Sequence, residues 1–468
     1  MKAKTTIKIK NISSVAKSNI CTGCGLCASI CPENCISMVM DKKKGVYQSQ
    51  IDINKCTNCS VCIKTCPPIT WSNKPTTSNA DIRLGDYIEF KALFSNNEII
   101  RKESASGGFI TSLLVYLLNN QIIDGAIISK RNPDNPLIGI PFIATTVEEI
   151  TENSTSIYGP VKFDEIIKHL LSTNDPTKKY VLVGLPCHIE GISRAQRLYK
   201  ILTKNIYLKI GIVCGQSPSI FAYDYSFKKL KVDKSNITSF KNRGGGWPGF
   251  MQIGVNNKDI KYPYPGKYSM GMVLGNPLFT PTACQKCVDA VGYNADLTAS
   301  DAWLSKFEND KIGRSFVMIK TSLGKEIVEN AILNQIFTSE EINRTDFIKA
   351  NIGVINKAYK GKINSILLKT KSYKNTYHTE MIFPENVGLK RLILLYIYSI
   401  NIFPIQFIGA NKLSKIANDT ILFYFKFINL LKKKSIHLGY YNSSYQTLIK
   451  DKISQIEIES NNCKKNIF

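Results

Sequence analysis

The chain has 468 residues, 44% of them hydrophobic and 21% charged, with a formal net charge of +25. That length exceeds one ordinary core and implies two or three domains, and the balance of apolar and charged residues excludes global disorder. The excess charge suits an anionic partner, but the lysines are dispersed and no recognised nucleic-acid motif occurs, so no nucleic acid is expected.

Residues 1–17 read as a basic tail. They hold no continuous apolar run and no small-residue cleavage site, so export is not expected and the cytoplasm is the expected location. Fourteen cysteines in such a chain read as thiolates for metal or redox work, because cytosolic disulfides are rare.

Residues 18–71 carry two cysteine runs, Cys21-x2-Cys24-x2-Cys27-x3-Cys31-Pro32 and Cys56-x2-Cys59-x2-Cys62-x3-Cys66-Pro67. This is the bacterial ferredoxin pattern for two [4Fe–4S] clusters. Three thiolates two residues apart wrap one corner of a cube, and the fourth crosses to the other cluster. Cys21, Cys24, Cys27 and Cys66 therefore form one ligand set, and Cys56, Cys59, Cys62 and Cys31 the other. Zinc sites take separated CxxC pairs instead. Gly23 and Gly25 suit a backbone that passes close to sulfur. Cys35, in CPENCISM, reads as a small buried hydrophobe. Between the runs, Ile36–Met40 and Val46–Tyr47 form the arms of a hairpin turning at Lys42–Gly45, which completes a small α+β domain. Residues 72–80, SNKPTTSNA, read as a linker.

Residues 81–340 alternate strand and helix. Strands are expected at Ile88–Phe94, Ile122–Ser129, Tyr180–Gly184 and Ile206–Val213, and helices at Phe109–Leu118, Val161–Leu171, Ile189–Tyr199 and Ile220–Leu230. Such alternation argues an α/β domain with a partly parallel sheet, whose ligands collect beyond the carboxyl ends of the strands. Cys187 follows one of these strands and Cys214 the next, so the two thiols lie side by side if the strands are neighbours. Cys284-x2-Cys287 supplies another pair. Together the four suggest a third cluster, with buried structural cysteines, a redox disulfide or a zinc site as the alternatives. His188, beside Cys187, is either a ligand or a hydrogen-bonding residue of the turn. Ser106, Gly107 and Gly108 stand at a helix start, where backbone N–H groups and the helix dipole favour a phosphate; ordinary N-capping explains a serine there equally well.

In order along the chain, these segments resemble the beta-subunit family of the coenzyme F420 (deazaflavin) hydrogenases and dehydrogenases. The resemblance runs over about residues 16–335 through SASGGF at Ser104–Phe109, YGPVKF at Tyr158–Phe163, GLPCHIEG at Gly184–Gly191 and VCGQSPS at Val213–Ser219. It continues through RGGGWPG at Arg243–Gly249, CQKC at Cys284–Cys287, ADLTASDAW at Ala295–Trp303 and GRSFVMIKTSLG at Gly313–Gly324. It implies FAD in the central domain, with Ser106, Gly107 and Gly108 near its phosphates and Lys162 near an anionic part of it. It also raises the case for a third [4Fe–4S] cluster at Cys187, Cys214, Cys284 and Cys287. The GPVKF variant shifts the family's lysine, and His188 stands where the family usually has glutamine.

A flavin takes electrons singly from clusters and delivers them as a pair, which suits a path from ferredoxin clusters to a deazaflavin or other small organic substrate. Some relatives resemble components of polysaccharide gene sets. The expected partner is a redox protein such as ferredoxin, and a non-catalytic electron-transfer subunit is the alternative reading. Tyr158, His188 and Asp301 are candidates by position for handling a proton. Residues 341–468 read as a basic, partly apolar helical region. Its stretches at 392–408 and 421–431 are too short to span a bilayer; packing against the main domain is the favoured reading and peripheral membrane contact the other.

Overall fold

A tight hairpin and short helical turns carry the N-terminal cysteines. The structure, a computed structural model, describes residues 11–70, 81, 83–256, 258–266, 268–273 and 277–358. The expected linker at 72–80 and the apolar stretches at 392–408 and 421–431 lie outside the described residues.

In the cysteine-rich lobe, helices α1 (Ser13–Lys17), α2 (Leu26–Ser29) and α3 (Val61–Thr65) surround a hairpin of β1 (Ile36–Asp41) and β2 (Val46–Ile51). The strands pair antiparallel from Ile36↔Ile51 to Asp41↔Val46, and Gly45 closes the turn with φ +67°. The lobe starts earlier than a tail over residues 1–17 allows. Ile12, Val15 and Ile20 are buried among the cysteines, because their spacing puts all three on the inner side of α1 and its exit.

Eleven further strands build two sheets: β3 (Glu89–Ser95), β4 (Gly125–Asn132), β5 (Asn135–Ala144), β6 (Tyr180–Gly184), β7 (Ile206–Ile212), β8 (Ile237–Lys241), β9 (Phe250–Val255), β10 (Lys258–Pro263), β11 (Leu297–Asp301), β12 (Ser315–Ile319) and β13 (Phe337–Glu341). The main sheet has the order β13-β3-β12-β11-β7-β6-β4-β5. Its centre, β11-β7-β6-β4, is parallel, and the flanking pairs are antiparallel, so the sheet is mixed as expected. Strands β8, β9 and β10 form a separate antiparallel sheet.

Alternation along the central strands feeds two core layers. Ala126, Val181, Leu208 and Ile210 face helix α5 (Phe109–Asn119), which lies between the short helices α4 (Glu98–Glu103) and α6 (Val147–Glu152) in the chain, and the helix Ser322–Leu333. Ile127 and Leu182 face α7 (Asp164–Thr173) and α8 (Pro186–Gln196). Pro136 and Pro141 sit in β5, where the sheet edge tolerates their missing N–H groups. The α/β unit does not stop at residue 340: Phe347, Ile348, Ile355 and Ala358 pack with Phe90 and Phe316.

The cysteine-rich lobe and the α/β region belong to one compact unit. Leu26 and Ile30 of the lobe lie in the same core layer as Ile189 and Ile192 of α8. Gly191 makes this possible, since a Cβ there would meet Leu26 Cγ at 3.0 Å. Among the described residues, no helix is long and apolar enough to cross a membrane.

Candidate functional site

The two cysteine runs fold over each other, so the fourth thiol of each reaches the other's loop. The Cys27 thiol is buried, which pushes its pKa up, and its neighbouring thiols Cys21, Cys24, Cys66 and Cys62 push the same way. Burial likewise pushes Cys62 up to about 11, and there the neighbouring thiols are Cys31, Cys59 and Cys56. Cys31, Cys56, Cys59 and Cys62 line one small cavity. Buried thiols of this kind stay protonated unless a cation offsets their desolvation, and bound iron does that outright. Two four-thiol sets therefore fit two [4Fe–4S] clusters. Gly23 and Gly25 take left-handed φ values of +73° and +87°, which glycine alone adopts without strain.

Cys35 is buried, as expected, yet it is more than filler. Its Sγ lies 3.4 Å from Cys31 Sγ and lines the same cavity as the second set.

The first cluster loop is clamped to the α/β region. Phe163 N donates to Cys24 O at 2.9 Å, and a Cβ on Gly25 would stand 2.7 Å from Asp164 N. At the hairpin turn, Ile220 N donates to Gly45 O at 2.9 Å, and a Cβ on Gly45 would meet the Phe221 ring at 2.8 Å.

Parallel neighbours β6 and β7 end side by side, and Cys187 and Cys214 follow them. Cys187 lies in the first turn of α8 because Pro186 opens that helix three residues before the expected start; its fixed φ suits the first helical position. Cys214 N donates to Ala290 O at 2.9 Å, which brings the segment of Cys284 and Cys287 alongside. Burial pushes the Cys187 thiol well up, and Cys24, Cys214, Cys287 and Cys284 all push the same way. Cys187 thus stands within electrostatic reach of both the first cluster set and the three other cysteines. Lys357 donates to Gly215 O and places a cation beside Cys214, Cys284 and Cys287.

His188 makes no second use of its ring. Its Nδ1 accepts from Leu185 N at 3.2 Å, its Nε2 donates to Val161 O at 3.2 Å, and burial lowers its pKa to about 4. It is a neutral, fully engaged turn residue, which removes it as a metal ligand and as a proton carrier.

The residues expected at a flavin phosphate are also engaged. Ser106 Oγ donates to Arg314 O at 2.7 Å, and Gly107 N donates to Ser315 Oγ at 3.1 Å. A Cβ on Gly107 would stand 2.5 Å from the Arg314 backbone, so this glycine serves close packing of the turn on β12. Gly108 N-caps α5 at φ +75°. Lys162 Nζ binds both oxygens of Asp164, at 3.0 and 3.1 Å, and Glu165 at 3.0 Å. As they stand, these groups do not fit an anion.

A different cluster gathers the remaining motifs. Arg243, 1% exposed, donates from Nη1 to Asp301 Oδ2 at 2.6 Å. Its guanidinium lies 4.6 Å from the Tyr264 ring centre and 5.0 Å from that of Trp247. Tyr158 Oη is 3.3 Å from Tyr264 Oη. Trp247 and Trp303 pack at 4.4 Å, and Trp303 Nε1 donates to Asp301 at 3.2 Å. Burial draws the Arg243 pKa down, but Asp301, Tyr158 and Tyr264 outweigh it and the net direction is up. Tyr158 and Asp301, named from the sequence, therefore meet here. Arg243 and Tyr264 were not singled out, although the glycine-rich run after Arg243 was the available signal: Gly246 N reaches Lys102 O and Trp247 N reaches Lys311 O.

Three family profiles match the chain. Residues 20–68 match a 4Fe-4S dicluster domain. Residues 91–168 match the N-terminal part, and residues 177–345 the C terminus, of the coenzyme F420 hydrogenase/dehydrogenase beta subunit. The chain belongs to that family. It is an iron–sulfur member of an oxidoreductase family. The chain is 24% identical over 316 residues to the coenzyme F420 hydrogenase subunit beta of Methanosarcina barkeri, covering 66% of this chain and 98% of that protein. It is 27% identical over 247 residues to the F420-dependent formate dehydrogenase subunit beta of Methanocaldococcus jannaschii, covering 51% and 57%. A chain of the F420-reducing [NiFe] hydrogenase complex from Methanosarcina barkeri is 20% identical, with a TM-score of 0.49, covering 65% of this chain and 99% of that one.

Proposed function

We propose that this family member passes electrons between two ferredoxin-type [4Fe–4S] clusters and FAD, by way of a third cluster, and that a deazaflavin or another small organic substrate is reduced or oxidised there. The observation that carries the reading is the position of Cys187 after β6, beside Cys214 after its parallel neighbour β7, with Cys24, Cys214, Cys287 and Cys284 as its electrostatic neighbours. In this reading Cys21, Cys24, Cys27 and Cys66 hold the first cluster, Cys31, Cys56, Cys59 and Cys62 the second, and Cys187, Cys214, Cys284 and Cys287 the third. When bound, the flavin supplies the exchange between single electrons and electron pairs. The chain's own residues keep the relay short and dry: Leu26 and Ile30 pack on α8, and the Phe163–Cys24 hydrogen bond holds the first loop against it. Lys357 offsets part of the negative charge at the third set.

The second reading, an electron-transfer subunit serving a partner enzyme, is favoured by the names of the two relatives, both of them beta subunits. In either reading the electron partner is a redox protein such as ferredoxin. The deciding experiment is anaerobic purification of the full chain with flavin analysis, followed by mixing with reduced ferredoxin and a deazaflavin. Bound flavin and deazaflavin reduction are the expected results. Cluster reduction with no flavin and no acceptor turnover would overturn the enzyme reading in favour of the subunit.

A further inference from the structure

Of the cysteines read as cluster ligands, all of them among the described residues, Cys59 is the one whose residue is exposed; the others are buried or half-buried. Cys24, Cys27 and Cys66 of the first set are buried. Electron tunnelling falls off steeply with distance, so an electron arriving from another protein enters where a cluster comes closest to the surface. That place is the second set, on the side of Cys59.

The ground around Cys59 has the parts of a small interface. Asn11 Nδ2 donates to Asn58 Oδ1 at 3.0 Å and holds the loop that presents Cys59. Pro32 is exposed and lines the same small cavity as Cys59. Next to it stands the corner between α8 and α9 (Lys200–Asn205). Cys59 and Cys31 are electrostatic neighbours of Tyr199 in that corner, and Tyr199 Oη donates to Ile30 O at 3.1 Å. The preceding residue, Leu198, is 40% exposed. Apolar side chains at the surface beside a cluster ligand suit a weak electron-transfer contact, which buries less than about 1,200 Å².

The rim is basic. Val61 of α3 packs with Tyr199 in one core layer, and Lys64, one turn on, shares that side of the short helix. Lys200 follows Tyr199 directly. Lys64 and Lys200 are both exposed, and neither has an ion-pair partner among the described residues. The acids of this loop are engaged: Asp52 pairs with Lys55 at 3.8 Å, and Glu33 Oε1 accepts from Thr57 Oγ1 at 3.5 Å. Unpaired cations beside an apolar centre favour an acidic partner over a basic one, and the net charge of +25 steers it from further off.

We propose that the face formed by Cys59, Pro32, Leu198, Lys64 and Lys200 docks an acidic one-electron carrier protein of the ferredoxin type. This rests on the reading above that the clusters form a relay, and it assigns the residues through which the relay is fed. One electron leaves the reduced carrier cluster and reduces the second cluster by one; no bond forms or breaks, and no proton moves.

The test follows reduction of the full chain by a purified acidic two-cluster ferredoxin, in anaerobic stopped flow at low and high salt. Dithionite serves as a small reductant that needs no docking face. Lys64→Glu with Lys200→Glu should slow reduction by ferredoxin about tenfold or more at low salt and flatten its salt dependence. Leu198→Asp should slow it as well, with dithionite rates and iron content at wild-type values. Lys258→Glu with Lys261→Glu, on exposed β10, changes the net charge equally and should leave the rate near wild type. If charge reversal costs iron, Lys64→Gln with Lys200→Gln and Leu198→Asp decide the matter. Wild-type ferredoxin kinetics in the rim variants would overturn the face alone, and so would equal slowing in the β10 control. Wild-type ferredoxin kinetics, with binding to phosphatidylglycerol vesicles lost in the rim variants, would reassign the face to a membrane. A wild-type chain reduced by dithionite but not by ferredoxin would overturn the ferredoxin partner and the face with it.

Discussion

Gly25→Ala should loosen the cysteine-rich lobe from the α/β region. Gly25 has φ +87°, and a Cβ there would stand 2.7 Å from Asp164 N and 3.0 Å from Phe163 N. The left-handed backbone costs an alanine about 1–2 kcal/mol. Forcing the added carbon against two backbone nitrogens costs about 1–3 kcal/mol more. The neighbouring Phe163–Cys24 hydrogen bond, worth about 1 kcal/mol, is the contact that gives way. A total of about 3–6 kcal/mol shifts a local docking equilibrium by more than about a hundredfold. Hydrogen–deuterium exchange over α7 and the 21–30 loop reads the opening, with thermal loss of cluster absorbance as a second measure. Gly353→Ala is the control, since a Cβ there meets nothing within 4 Å. Exchange in Gly25→Ala equal to the wild type would refute the clamp.

Other consequences are equally open to measurement. Cys187→Ser should remove about four irons per chain, leaving about eight; an unchanged iron count would take Cys187 out of the ligand set. Cys35→Ala should keep the full iron content, because a complete second set lines the cavity without it; loss of iron would make Cys35 a ligand. Lys357→Met should lower the third cluster's reduction potential, since removing a cation disfavours the more negative reduced state, as a redox titration would show. Burial pulls Lys320 down to about 8, while an unfolded lysine titrates near about 10.4. The unfolded chain then binds more protons between those values, so wild-type stability rises with pH across that window by about 3 kcal/mol at most. Lys320→Met should lack the rise in denaturant midpoints and be the more stable protein at pH 7.

Much of this arrangement was legible in the residues. The cysteine runs announce their metal because thiol spacing is local, and Tyr180–Gly184 reads as a strand because its apolar run and length are local too. Apolar periodicity begins at Ile189, whereas Pro186 starts helix α8 three residues earlier. Strand β5 hides behind two prolines that only an edge position accommodates. The resemblance puts Lys162 near an anion, whereas its partners are Asp164 and Glu165 in the first turn of α7, a pairing that a family motif does not reveal. The Arg243 cage is assembled from four distant segments, so no window of sequence contains it.

The most direct measurement of the relay is a reductive titration of the anaerobic full chain followed by electron paramagnetic resonance, run on the wild type and on Cys187→Ser. The wild type should show three reducible clusters with magnetic coupling between the first and third. The variant should lose the third signal and that coupling together, while the two ferredoxin clusters still reduce. Two clusters in both proteins, with identical spectra, would contradict the relay through Cys187.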